Sequence, residues 1–168
     1  MIARAARVQR GIPQQFRERP LQACVELVFP PGNGSPASPW NLPPGAVLRP
    51  TEQIVALNLA PGRWLLLDAD SSWLAAAVSA GGVAIDVEGK WRCLEIRGAQ
   101  AASALSAGVD LGLILEGREC AAVPLFDCPT VIAARPRDAG FDVCVHASYA
   151  ASLCAALQAA LDRSEGAQ

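Results

Sequence analysis

The sequence predicts an α+β fold built mostly from antiparallel sheets. Segments with strand character stand in groups between a few helical segments, in the order β, β, β, α and then β, β, α, β, β, β, α. The chain has 168 residues, of which 52% are hydrophobic. A chain of this size can bury one domain-sized core without the help of disulfides or metals.

Charge limits the partners of this domain. Charged residues make up 18% of the chain, against about 25% in a typical globular domain. Because interface cores are depleted in charge, we expect an obligate or near-obligate protein partner, although an alanine-rich protein from a biased genome would look similar. The net charge of -2 argues against a nucleic-acid partner or an anionic membrane surface. The sequence contains no run of about 18 apolar residues, so no membrane span is predicted.

Residues 1–19 are predicted to lie outside the core as a flexible basic arm. They contain five arginines and a single acid and show no apolar periodicity. A mitochondrial presequence has the same composition, and a start codon upstream of the true one is a third explanation. The remaining chain is predicted to form one compact domain over 20–163, with halves at about 20–80 and 83–163, and a tail over 164–168.

The first half is predicted to contain three strands and one helix. Its strands are Leu21–Phe29, Glu52–Leu59 and Arg63–Leu67, and the last two flank a turn at Pro61-Gly62. Seven prolines between residues 30 and 50 predict an irregular segment that places Trp40 on the core. A helix is expected over Trp73–Ser79, because Asp70 and the serines after it can cap it and Gly81-Gly82 end it.

The second half is predicted to contain five strands and two helices. These are strands Val83–Val87 and Trp91–Ile96, helix Ala99–Ala107, strands Ala121–Phe126 and Thr130–Ala134 around a turn at Cys128-Pro129, strand Phe141–His146, and helix Tyr149–Asp162 capped by Ser148. The last helix places its apolar residues on one continuous face, at Ala150, Leu153, Cys154, Leu157 and Leu161.

Six cysteines and one histidine form no recognisable metal or disulfide motif. No C-x-x-C pair occurs, and structural zinc sites need such close pairs. Most of the cysteines lie in apolar runs, where a thiol packs as a small hydrophobic group. The composition therefore favours a reducing compartment, which we take to be the cytoplasm.

The residues by themselves predict no catalytic, cofactor-binding or metal site. Neither G-x-S-x-G nor a phosphate-binding glycine motif is present. Asp142, Cys144 and His146 alternate onto one strand face with Ser148 nearby, but a lone histidine at a strand end is more commonly a packing residue. The acidic pairs Asp68/Asp70 and Asp86/Glu88 are interpreted as solvated. A free-standing enzyme is not expected.

Four segments in the same order resemble the gamma subunit of heterotetrameric sarcosine oxidases. The segments are Pro61-Gly62-Arg63-Trp64-Leu65-Leu66-Leu67; Ile85-Asp86-Val87 with the strand Trp91–Arg97 that ends at Gly98; Gly108-Val109-Asp110-Leu111 with Gly117-Arg118-Glu119-Cys120-Ala121; and Phe141–Val145 with Ser148-Tyr149-Ala150-Ala151-Ser152-Leu153. The family-motif positions are Gly62, Trp64, Asp86, Gly98, Gly108, Asp110, Cys120, Ser148, Tyr149 and Leu153.

The resemblance implies both a fold and a role. The fold would be like the folate-binding domain of glycine-cleavage aminomethyltransferases, with two ferredoxin-like β/α halves. The role would be that of a small non-catalytic subunit that binds no cofactor itself. FAD, FMN, NAD and tetrahydrofolate would lie on the alpha and other partner subunits, which demethylate sarcosine oxidatively to glycine.

Two other functions stay open on the sequence alone. One is a stand-alone folate-binding or one-carbon-transfer protein of aminomethyltransferase-like fold, although Glu88-Gly89 stand where aminomethyltransferases have Ser-His after the Asp-Val pair. The other is a structural module in a different amine-oxidising complex.

Overall fold

Two antiparallel five-stranded sheets pack face to face, and helices cover their outer faces. A computed structural model describes residues 16–30, 39–49, 55–135 and 140–165 of the chain. The architecture therefore has four layers, in the order helix, sheet, sheet, helix. The predicted α+β class with mostly antiparallel sheets is confirmed.

The elements of the described chain are short. The strands are β1 (Phe16–Arg19), β2 (Cys24–Val28), β3 (Val47–Leu48), β4 (Val55–Ala60), β5 (Arg63–Leu67), β6 (Val83–Asp86), β7 (Trp91–Ile96), β8 (Cys120–Leu125), β9 (Cys128–Arg135) and β10 (Gly140–His146). The helices are α1 (Ser71–Ser79), α2 (Ala101–Ser106), α3 (Leu111–Ile114) and α4 (Ala150–Glu165). A single 3₁₀ turn, Ala147–Tyr149, precedes α4.

The strands divide into two sheets. Sheet A has the order β1-β7-β10-β9-β8, and sheet B the order β3-β4-β5-β2-β6. Gly140 lets β10 approach β7 closely, because a Cβ at this position would lie 2.5 Å from the carbonyl oxygen of Ile96. Gly62 forms the β4–β5 turn at a φ of +68°, a conformation that glycine adopts without strain.

Three apolar layers hold the sheets and helices together. On the outer face of sheet A, α2 and α4 bury Leu105, Leu153 and Leu157 against residues such as Ile132. On the outer face of sheet B, α1 and Trp40 cover a second cluster. The inner layer lies between the sheets and is formed by residues of both, namely Cys24, Val55, Leu57, Leu65, Leu67, Val87, Trp91, Cys93, Cys120, Val131, Ala133 and Cys144.

The end of the predicted basic arm is part of the fold. Residues 16–19, which the sequence analysis assigned to the arm, form β1 and pair with β7 from Phe16↔Ile96 to Arg19↔Cys93. Phe16 is buried in the cluster under α4. The arginine-rich pattern hid this strand, because in β1 the charged side chains lie on a sheet edge. Residues 1–15 lie outside the described part of the chain.

The two sheets do not follow the predicted division of the chain at about residue 80. β1 comes from the start of the chain but joins the sheet of the second half, and β6 comes from the second half but pairs with β2 in sheet B. An edge strand of sheet A therefore comes from the predicted arm, and an edge strand of sheet B comes from the predicted second half. The exchange ties the halves into one unit. At the other end of the chain, α4 continues to Glu165, two residues into the predicted tail.

Two local predictions were wrong. The β8–β9 turn lies at Phe126 and Asp127, which have φ values of +48° and +61°, and not at Cys128-Pro129. Pro129 fits inside β9 because the β10 pairing begins only at Thr130, so no backbone N–H is needed there. Ser148 lies within the 3₁₀ turn and does not cap the last helix.

The capping of α1 by Asp70 is confirmed, with bonds of 3.0 Å from the Ser72 and Trp73 amides.

Candidate functional site

The ten family-motif positions are spread over the fold and do not converge on one site. Three of them are glycines at ends of elements, namely Gly62, Gly98 and Gly108. Three are buried, namely Trp64, Cys120 and Leu153, and three are exposed, namely Asp86, Ser148 and Tyr149. Asp110 caps α3, because its side chain accepts from the Leu113 amide at 3.1 Å. Most of these positions therefore hold turns, caps and core packing in place.

The single histidine packs against an aromatic ring and not against the neighbouring carboxylate. Asp142 and Cys144 do share the inner face of β10, as the alternation predicted. Asp142, however, is fully buried and accepts hydrogen bonds from Arg135 at 2.8 Å and from Arg49 at 3.3 Å. The His146 ring instead packs edge-on against Trp91, with ring centroids 4.3 Å apart. His146 is therefore a packing residue in this structure.

Three of the inner-layer thiols, those of Cys24, Cys120 and Cys144, have raised pKa values. Burial raises the pKa of Cys24 to about 12 and the pKa of Cys120 to about 11. Contact with Cys93 across the strand pair, together with burial, also raises the pKa of Cys144. A nucleophilic cysteine needs a lowered pKa, so the raised values fit thiols that pack in the core. Within the described ranges, no three side chains of the metal-binding types are grouped as a metal site would require.

A buried ionic cluster closes one end of the inner layer. Glu95 and Asp142 lie opposite each other on β7 and β10. Glu95 accepts from Arg17 at 2.8 Å and from Arg97 at 3.0 Å. Arg49, which follows β3 of sheet B, bonds to Asp142 and to the Ala134 carbonyl of sheet A. The cluster therefore joins the two sheets.

A cleft of about 360 Å³ opens beside β1 and the β6–β7 turn. Arg19, Glu88, Trp91 and Arg92 are among the residues that line it. Arg92 forms an exposed ion pair with Glu18, and Arg19 is paired with Asp68. The arginines of the cleft are thus already neutralised by carboxylates, which leaves the cleft without a strong preference for an anionic ligand.

Among the described residues, strand β6 is the most exposed part of sheet B. All four of its residues are exposed, including Val83 and Ile85 at about half of their surface. β6 pairs with β2 on one side only, as the last strand of its sheet. The sequence predicted a strand here but not its position at an edge, since that position depends on which strands pair.

The backbone pattern shows which groups of β6 face solvent. The Val87 amide donates to the Cys24 carbonyl, and on the other side of β2 the Phe29 amide donates to the Gly62 carbonyl. Antiparallel pairs alternate, so Val83 and Ile85 bond to β2 while Ala84 and Asp86 turn their N–H and C=O groups outward. The outward row is a template for one more strand.

Comparison with solved structures connects this fold to a known complex. A chain of the heterotetrameric sarcosine oxidase from Corynebacterium sp. U-96, solved in complex with pyrrole 2-carboxylate, aligns with a TM-score of 0.70 at 19% sequence identity. The alignment covers 88% of this chain and 83% of that chain. The fold is similar to that of this sarcosine oxidase chain. No protein-family model and no curated protein sequence matches the chain.

The structural match agrees with the likeness in fold that the sequence resemblance implied. The likeness to a heterotetrameric sarcosine oxidase, expected from four short motifs, extends over most of both chains. At this level of identity it establishes the fold alone. In the part of the chain that the structure describes, no helix is both long and apolar enough to cross a membrane.

Proposed function

We propose that this protein is a non-catalytic accessory subunit, of the gamma type, in a sarcosine-oxidising flavoenzyme complex. The observation that carries the proposal is the fold match to a chain of a heterotetrameric sarcosine oxidase over most of both chains. The four ordered sequence motifs support it independently. The partner chains would hold FAD, FMN, NAD and tetrahydrofolate and would convert sarcosine to glycine.

The side chains of the described structure support a non-catalytic role. Arginines bond to the buried carboxylates of Glu95 and Asp142, burial raises the pKa of Cys24 and of Cys120, and the histidine packs on a tryptophan. The low charge content and the apolar edge at β6 fit a chain that is partly covered by other subunits. Six free cysteines fit a cytoplasmic complex.

Co-purification tests the proposal. The full chain, tagged and expressed in its own organism, should bring down large flavoprotein subunits as a yellow complex with sarcosine-dependent peroxide production. The same chain expressed alone should be colourless and inactive. Flavin binding or methyl transfer by the lone chain would contradict the proposal. Tight folate binding by a lone chain that captures no flavoprotein would instead support the stand-alone folate protein.

A further inference from the structure

We propose that β6 docks a partner subunit by accepting an extended segment of that subunit as a sixth strand of sheet B. The inference rests on the proposed accessory role and names the surface that carries it. It starts from the outward N–H and C=O groups of Ala84 and Asp86, which β2 does not use. Added strands bind through such rows of main-chain hydrogen bonds.

The other sheet edges in the described structure are blunted. β1 carries Arg17, Glu18 and Arg19, and charged side chains discourage edge pairing. β8 contains Pro124, which lacks the N–H that a ladder needs. β3 is only two residues long. The remaining edge, β6, has the sequence Val-Ala-Ile-Asp, with a single charge at its end and no proline.

An apolar strip accompanies the open backbone. Val83 and Ile85 point to the same side of sheet B as Cys24, toward sheet A, because paired residues share a face. Sheet A covers Cys24 and Val87 but leaves Val83 and Ile85 51% and 46% exposed. The strand thus extends beyond the cover of sheet A. Alternate apolar side chains on an added strand would fill this uncovered face.

Charge identifies the kind of segment that fits. Asp86 and Glu88 are exposed at the end of β6, and no arginine or lysine of the described chain pairs with either of them. A segment with apolar residues at alternate positions and an arginine or lysine near its end would match both the strip and these carboxylates. Such a segment is the occupant to which the proposal commits.

A second copy of this chain fits the edge less well. Two β6 strands related by a two-fold axis near Ile85 would place both Asp86 side chains on one face, at diagonal positions about 7–8 Å apart. The like charges would repel, and the described chain provides no cation there. A four-residue pairing also buries too little area to hold a dimer by itself. A partner subunit with its own surrounding surface avoids both problems.

A proline at residue 84 tests the proposal directly. In Ala84→Pro the lost N–H is one that faces solvent, so the β2–β6 bonds are kept while the docking donor is removed and the ring blocks the edge. The matched control is Ala84→Val, which keeps the N–H and suits a strand. We expect Ala84→Pro to weaken the affinity for the co-purified flavoprotein subunits roughly tenfold or more, which is about 1.4 kcal/mol. The control should bind like the wild type.

Further measurements distinguish a loss of docking from misfolding of the variant. The isolated Ala84→Pro chain should keep the circular dichroism and melting temperature of the control. If it does not, Ile85→Lys replaces it, because this side chain is half exposed and its loss leaves the β2 pairing unchanged. Hydrogen exchange of the peptide 82–87 should slow roughly tenfold or more when the wild-type chain joins the complex.

The possible failures separate the two proposals. If the wild type captures the flavoprotein subunits and the proline and lysine variants capture them equally, without slower exchange at 82–87, the β6 proposal is wrong and the accessory role stands. If the wild type captures no flavoprotein subunit, the accessory role fails and this inference fails with it. A dimer of the isolated chain that Ala84→Pro dissociates would make a second copy the occupant and overturn the proposal.

Discussion

At the scale of single residues, aromatic contacts explain how a proline-rich segment is fixed to the domain. Trp40 packs edge-on against Trp64 and Trp73, with ring centroids 5.4 Å apart in both pairs. The Asn58 amide donates to the Leu42 carbonyl at 2.7 Å, which holds the same segment from the side of β4. Backbone bonds between Asn58 and both Gly45 and Ala46 add to this attachment, ahead of the short strand β3. Trp40 and Leu48 of this segment thus become part of the outer layer of sheet B.

Leu153 provides a residue-scale prediction. It is fully buried among the α4 and sheet A residues, so truncation leaves a cavity. Leu153→Ala should lower the free energy of unfolding by about 2–5 kcal/mol in urea titrations. The matched control is Leu113→Ala on α3, where the side chain is 70% exposed and the change should cost less than about 0.5 kcal/mol. Equal losses for both variants would contradict the packing of α4.

At the scale of elements, β1 shows how a short charged strand contributes to stability. Its four residues pair with β7, and Phe16 enters the core. Arg17 bonds to Glu95, and Arg19 forms an ion pair with Asp68, which directly follows β5 of sheet B. β1 therefore contacts both sheets, although it lies at the edge of one of them.

Two truncated chains distinguish the contribution of β1 to stability from that of residues 1–15. A chain that starts at Pro20 lacks β1, and a chain that starts at Phe16 keeps it. Burial of a phenylalanine side chain contributes about 1.5–3 kcal/mol, so the melting temperature of the Pro20 chain should be about 5–10 °C below that of the Phe16 chain. Differential scanning calorimetry measures the difference. A difference under about 2 °C would mean that β1 adds little to the fold.

At the scale of the whole molecule, the contacts between the sheets decide how the two halves act as one. Apolar side chains fill the inner layer, and the cluster of Glu95 and Asp142 closes one end of it. Burial by itself would raise the pKa of Glu95. The hydrogen bond from Arg17 and the charges of Arg97 and Arg135 outweigh burial and hold this pKa below its ordinary value.

The shifted pKa predicts a dependence of stability on pH. A carboxyl group with a lowered pKa in the folded state stabilises the fold above its unfolded pKa, and this contribution is lost as the pH falls through the folded pKa. Stability should therefore fall below about pH 4.5. Glu95→Gln should cost about 1–3 kcal/mol at pH 7 and reduce the further loss between pH 5 and 3.

The exposed Glu116 provides the control for this measurement. Glu116→Gln should leave stability at pH 7 within about 0.5 kcal/mol of the wild type. Urea titrations at several pH values compare the three proteins. If Glu95→Gln shows the full acid sensitivity of the wild type, the ionic cluster is not its source.

Local patterns in the sequence determined most of the elements and part of the core. The strand alternation over Arg63–Leu67 and Trp91–Ile96, the cap at Asp70 and the apolar face of α4 are all found in the structure. These features depend on residues within one or two turns of each other, so periodicity and capping chemistry are sufficient to predict them. The short β3 and α3 escaped prediction because two to four residues show no periodicity.

Contacts between residues far apart in the sequence decided the features that local patterns do not predict. Residues 16–19 became a strand only because β7 offers an edge, and β6 became an open edge only because it pairs with β2 of the other half. The ionic cluster likewise joins Arg49 to Asp142, residues that lie far apart in the sequence. The free energy of such contacts depends on burial and on partners that distant segments supply, which no local pattern records. The sequence therefore determined most of the strands and helices of this protein, and the tertiary structure decided the remaining short elements and which surfaces stay free to bind.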